Sequence, residues 1–126
     1  MKALGVELIY LANDIGSIER DNGRGNYVRL LAERIGPNAL DQALDATTRR
    51  YRDKASEFLA RSSDLAPGSR SAAYADMLAY IIDGNLRSTA FLAHPAAFGR
   101  YSPTVRECLE RMLESSLLTA MSLRPS

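Results

Sequence analysis

The sequence is poor in the residues that build covalent or metal scaffolds. Its 126 residues include one cysteine, Cys108, one histidine, His94, and no tryptophan. One cysteine excludes an internal disulfide and any cysteine-rich zinc site, and one histidine excludes a multi-histidine metal centre. Charge of one sign is lacking too. Sixteen Lys and Arg against fifteen Asp and Glu leave a net charge of +1, no global reason to bind nucleic acid or an anionic membrane. No apolar run approaches the roughly 20 residues that span a bilayer. The opening Met1-Lys2-Ala3-Leu4-Gly5-Val6-Glu7 meets charge too early for a secretory signal. These absences lead to the expectation of a cytoplasmic chain with no nucleic-acid partner and no membrane span.

What remains is a folding composition, 46% hydrophobic and 25% charged. The periodicity is helical nearly throughout, and no stretch alternates with strand period. Leu4, Leu8, Leu11 and Ile15 recur at three and four residues, which predicts a helix from about Ala3 to Asp21, stopped by Asn22-Gly23-Arg24-Gly25-Asn26. A shorter helix follows from Tyr27 to Ile35, closed by Gly36-Pro37. Asn38 is expected to cap a third helix that carries Leu40, Leu44, Tyr51, Ala55, Phe58 and Leu59 to about Ser62, with Asp41 in its first turn. After a loop containing Pro67-Gly68, a fourth helix runs from near Arg70 to about Ala90. Ser102-Pro103 then opens a final amphipathic helix through Val105, Leu109, Met112, Leu113, Leu117 and Met121. The expectation is all-α: one domain over 1–126, a bundle of about five helices.

Asn13, Ser17 and Asp21 are the informative residues. Steps of four at about 100° per residue drift by only about 40°, so on a continuous helix the three side chains form one stripe at intervals of about 6 Å. An amide carbonyl, a hydroxyl and a carboxylate are hard oxygen donors, a set that suits Mg²⁺. Only one of them is charged, so the cation would be held weakly until a diphosphate completed its shell. Arg20 offers a permanent positive charge to the same anion. The same spacing also describes an ordinary solvated helix face. Against that reading, Asn13 and Ser17 interrupt a very apolar helix midway, where both have poor helix propensity.

The wider string Asn13-Asp14-Ile15-Gly16-Ser17-Ile18-Glu19-Arg20-Asp21, followed by Gly25-Asn26-Tyr27-Val28, closely resembles the second metal-binding motif of class I terpene synthases, N-D-x-x-S-x-x-x-E/D. Gly84-Asn85-Leu86, followed by Arg100-Tyr101, resembles the G-N-…-R-Y signature of the bacterial members. The resemblance implies that Asn13, Ser17 and Asp21 bind Mg²⁺, and that Arg20, Arg100 and Tyr101 contact the diphosphate of a linear isoprenyl substrate. It spans essentially the whole chain but only the C-terminal half of the family's catalytic domain. The aspartate-rich motif that holds two further magnesium ions has no counterpart, since only twelve residues precede Asn13 and Asp41 and Asp45 stand isolated. Aromatic residues usual around G-N are also missing, with Ser88 and Thr89 in their place. The chain alone is therefore expected to be inactive or nearly so, and to need a separate N-terminal half or a second copy. A non-catalytic helical interaction module derived from that fold is the alternative.

Other residues read more simply. Tyr10, Tyr27, Tyr74 and Tyr80 fit core or rim positions, or the wall of a cation-stabilising pocket. Arg49, Arg50 and Arg52 are interspersed with Asp45, Asp53 and Glu57 at the spacing of exposed ion pairs. His94 precedes a proline in a turn, and Cys108, between Glu107 and Glu110, lacks the electropositive setting of a reactive thiol.

Overall fold

A computed structural model describes residues 1–18, 25–93 and 102–122. Among them every regular element is a helix: α1 (Lys2–Gly16), α2 (Tyr27–Ile35), α3 (Leu40–Ser63), α4 (Arg70–Ala93), α5 (Pro103–Leu113) and α6 (Leu117–Ser122). The all-α bundle expected from the periodicity is what forms. No described helix is long and apolar enough to cross a membrane.

The core follows the three- and four-residue spacing. Leu8, Leu11 and Ile15 of α1 lose all contact with solvent, as do Phe58 of α3 and Met112 of α5, and Tyr51 and Ile82 nearly so. Each such side chain contributes on the order of 1.5–3 kcal/mol. Helix α1 packs on α3 and α4, α4 on α5, and α3 on α5, so the α1–α4 pair lies over the α3–α5 pair. Thr47 and Thr48 enter this core because their hydroxyls donate back to the Ala43 and Leu44 carbonyls at 2.7 and 2.8 Å. Close approach of α1 to α4 rests on two glycines. Gly5 sits against Leu78 and Ile82, and a Cβ on Gly16 would overlap the Thr89 methyl.

Three boundaries differ from expectation. Helical geometry in α1 stops at Gly16 rather than running to Asp21. The Ser17 amide donates to the Asn13 carbonyl at 2.9 Å, and the Ile18 amide then shifts to the Ile15 carbonyl at 3.4 Å, tightening the last turn. Asn38 does not cap α3. It takes φ +59°, a left-handed conformation that asparagine tolerates better than most residues, and Ala39 occupies the cap without a side-chain bond. The last predicted helix is two. The buried Asp83 carboxylate accepts from Ser116 Oγ at 2.7 Å and from the Leu117 and Leu118 amides at 3.1 and 2.9 Å, starting α6 afresh. Ser102 caps α5 as expected, accepting from the Val105 amide at 3.3 Å with Pro103 in the first turn.

Among the described residues, the α1–α4 pair carries most of the exposed large apolar side chains. Of ten large apolar side chains exposed among the described residues, eight belong to these two helices: Val6 and Tyr10, then Tyr74, Met77, Tyr80, Ile81, Phe91 and Leu92. Ala75, Ala79, Ile82 and Leu86 turn inward, so Tyr74, Met77, Ile81 and Phe91, about half a turn away, face outward. By the same geometry Val6, Tyr10 and Asn13 lie opposite Leu4, Leu8 and Leu11. Val6, Tyr74, Met77 and Ile81 thus lie on the outward sides of two adjacent helices, whereas Tyr10 meets Tyr27 of α2 and Tyr80 borders α6.

Candidate functional site

Asn13 is exposed on the outward side of α1, one turn before the half-buried Ser17 at the C-terminal end of that helix. These two sequence-predicted ligands therefore occupy successive turns, as their spacing requires. Asp21, the third, lies outside the described residues, as do Arg20, Arg100 and Tyr101. What the geometry offers is two neutral oxygen donors at the rim of an apolar surface, a chemistry compatible with Mg²⁺. Among the described residues no cluster of three His, Cys, Asp or Glu side chains is placed to hold a metal.

The end of α1 is tied to the start of α2 by a set of bonds centred on Asn26. This residue is buried, with 1% of its surface exposed. Its Oδ1 caps α2, accepting from the Val28 amide at 2.9 Å and the Arg29 amide at 3.3 Å. Its Nδ2 donates to the Asp14 carbonyl at 2.9 Å and, at the longer distance of 3.5 Å, to Ser17 Oγ. Asp14 answers in the other direction: its Oδ2 accepts from the Tyr27 amide at 2.8 Å. Arg29 Nη2 donates to the Ile18 carbonyl at 2.9 Å, satisfying an acceptor that the ended helix leaves open. Thus Asp14, although the acidic member of the N-D-x-x-S string, holds the next helix in place.

A second cluster lies between α1, α2 and α3. Arg50 meets the Glu7 carboxylate through Nε at 2.6 Å and Nη2 at 2.5 Å, and its guanidinium lies 6.0 Å from the Tyr27 ring centroid. Tyr10 and Tyr27 are tilted against each other with centroids 6.3 Å apart. Partial burial, helped by the Glu7 charge, pushes the Tyr10 hydroxyl above its ordinary pKa, so it stays protonated. Tyr10, Tyr74 and Tyr80 are exposed, and Tyr27, half-buried, packs against the edge of the core. Among the described residues the buried tyrosine is Tyr51.

Of the G-N pair of α4, Gly84 is exposed and Asn85 reaches α1. Asn85 Nδ2 donates to the Ile9 carbonyl at 3.4 Å, and Thr89 returns its hydroxyl to the Asn85 carbonyl at 2.8 Å. Of the α3 arginines, Arg49 pairs with Asp45 of its own helix at 3.2 Å as the spacing implies, whereas Arg50 pairs with Glu7 of α1 and Arg52 with Glu114, after α5, at 3.6 Å. Cys108 is buried, with Arg111 Nη2 at 3.9 Å from its sulfur, a cationic neighbour that the flanking glutamates gave no hint of. His94 lies outside the described residues.

Reading the sequence missed the parts played by Asn26, Asp14 and Arg29. An asparagine directly before the first apolar residue of a helix is a recognisable cap signal, so Asn26 was within reach. Its donation back to α1 was not, because that depends on how the two helices meet. Comparison of the chain with family models, with curated proteins and with solved structures finds no match.

Proposed function

We propose that the chain is the C-terminal part of a magnesium-dependent class I terpene synthase, a carbon–oxygen lyase acting on a linear isoprenyl diphosphate in the cytoplasm. The observation that carries this reading is the pair Asn13 and Ser17, on successive turns beside the exposed apolar side chains of α1 and α4. In this reading Asn13, Ser17 and Asp21 hold one Mg²⁺, and Arg20, Arg100 and Tyr101 receive the diphosphate. A magnesium ion held there would supply neutralisation of the charge that gathers on the leaving group. The allylic carbon–oxygen bond breaks, its electron pair leaves with pyrophosphate, and loss of a proton from the carbocation gives the terpene. Val6, Tyr74, Met77, Ile81 and Phe91 supply apolar surface that keeps water from the cation, with the tyrosine faces adding cation–π attraction.

A partner half bearing an aspartate-rich motif completes the cavity over those side chains. Without it the chain is inactive or nearly so, since one metal site and one wall cannot stabilise the ionised state. The same exposed side chains support a second reading, a helical interaction module in which the motif no longer binds metal. Calorimetric titration with Mg²⁺ and pyrophosphate separates them. The synthase reading expects binding that Asn13→Ala and Asp21→Ala abolish. Binding that is absent, or unchanged in both variants, removes it and leaves the interaction module.

A further inference from the structure

We infer that α4 pairs antiparallel with α4 of a second copy of this chain, an inference that rests on the interaction-module reading and names its partner. Tyr74, Met77, Ile81, Gly84, Ser88 and Phe91 of α4 are all exposed and follow one another at alternating steps of three and four residues. That alternation gives a period of roughly 3.5, which keeps one seam of a helix against a neighbouring helix. Ala75, Ala79, Ile82 and Leu86 use another side of the same helix on the core. Helix α4 is therefore patterned to be packed on from two sides, and the described residues cover one of them. The middle of the outer seam carries a cost. Gly84 and Ser88 weaken an exposed helix interior relative to alanine. A Cβ on Gly84 would meet nothing within 4 Å among the described residues. No close approach among those residues calls for the glycine, whereas the backbone of a second helix laid along the seam does.

The seam is complementary to itself when reversed, which selects a second copy as its occupant. About a two-fold axis between Ile82 and Asp83, Ile81 lies opposite Gly84 of the second copy, Met77 opposite Ser88 and Tyr74 opposite Phe91. Ile81 and Met77 each meet a small residue, and an aromatic pair closes either end. Charge agrees with this direction. Asp76 and Arg87 are exposed and make no ion pair among the described residues. They stand eleven residues apart, about three turns, and so lie on the same flank of the helix. The two-fold brings Asp76 level with Arg87 of the second copy to within about 3 Å along the axis, whereas a parallel pair would set arginine against arginine. From Tyr74 to Phe91 the seam is about 26 Å long and one helix wide. That area lies at the low end for specific interfaces, so the dimer exchanges reversibly with monomer.

Sedimentation equilibrium of the full chain, at concentrations up to millimolar, tests the pairing. The unaltered chain should distribute between monomer and dimer and form nothing larger, because a two-fold interface closes on itself. Gly84→Leu is the deciding variant. It adds apolar surface and improves the helix at a position that no described residue crowds, so the melting temperature should not fall. Yet it fills the slot that Ile81 of the second copy enters, and should weaken the dimer about 10-fold or more. Arg87→Asp or Asp76→Arg alone should weaken it about 2- to 5-fold at low salt, and the two together should restore it. A chain that stays monomeric refutes the pairing and leaves the module to a different partner. A dimer that Gly84→Leu strengthens or leaves unchanged is held elsewhere or by unspecific apolar contact, and refutes it too. Charge reversals without effect, or without mutual rescue, overturn the antiparallel register. The module reading itself stands or falls with the Mg²⁺ and pyrophosphate titration, so the two failures are told apart.

Discussion

Replacing Asp83 by alanine should be among the most damaging single changes outside the apolar core. The carboxylate is 2% exposed and, together with the Ser116 hydroxyl that accepts from the Thr119 amide at 3.4 Å, begins α6 where it does. It accepts from two backbone amides, Leu117 and Leu118, and from the Ser116 hydroxyl. Hydrogen bonds to a charged group are each worth roughly 1.5–3 kcal/mol, and amides left buried without an acceptor cost roughly 1–3 kcal/mol apiece. Loss of an anion at a helix start adds a few tenths of a kcal/mol or more. These contributions overlap, so the expected destabilisation is about 3–5 kcal/mol. Asp83→Asn keeps the shape and one acceptor oxygen and should cost about half as much. Urea unfolding followed by circular dichroism measures both, with Ser116→Ala, at about 1 kcal/mol, as the comparison. A loss under about 1 kcal/mol for Asp83→Ala would refute the claim that this carboxylate holds α6 to α4.

Three smaller expectations follow from the same geometry. Gly16→Ala should cost about 1–3 kcal/mol by overpacking against Thr89, and most of that should be restored in Gly16→Ala with Thr89→Ser, as urea unfolding of the pair would show. Ile81→Asp on the outward side of α4 should leave stability within about 0.5 kcal/mol, because Ile81 is 47% exposed, while reducing self-association in analytical ultracentrifugation. The hydrogen bond from Lys54, with its charge and that of Arg61, holds the Glu57 carboxyl below its ordinary pKa. The stability this pairing contributes is present above the ordinary glutamate range and lost as pH falls through the lowered value. Carbon-13 NMR titration should find the Glu57 midpoint below that of an unpaired glutamate, and Lys54→Met should raise it.

The helices were legible because burial imposes its own period. Leu4, Leu8, Leu11 and Ile15 could not recur as they do unless one face of α1 met a core, and the Ser102-Pro103 start is written in two adjacent residues. What escaped was set by distance in the chain. The start of α6 at Leu117 is held by Asp83, more than thirty residues away, and Asn38 does not cap α3 because its backbone is left-handed, outside the extended range a cap residue takes. At the candidate site the spacing assumed one continuous helix, but α1 ends at Gly16, so Ser17 is its C-terminal cap residue, and Asp21 lies outside the described residues. Asn26 was visible as part of a pattern, but its bond across to Asp14 exists only once α1 ends at Gly16 and α2 folds back beside it.

The central claim, that the end of α1 grips a divalent cation beside pyrophosphate, is tested most directly with manganese. Mn²⁺ added to the nitrogen-15-labelled chain with pyrophosphate should broaden the NMR amide signals of Asn13 and Ser17 well before those of Met112 in α5, and Ser17→Ala should abolish the selectivity. Broadening that begins instead at the acidic side chains of α3, such as Asp53 and Glu57, or that ignores the Ser17 substitution, would contradict it.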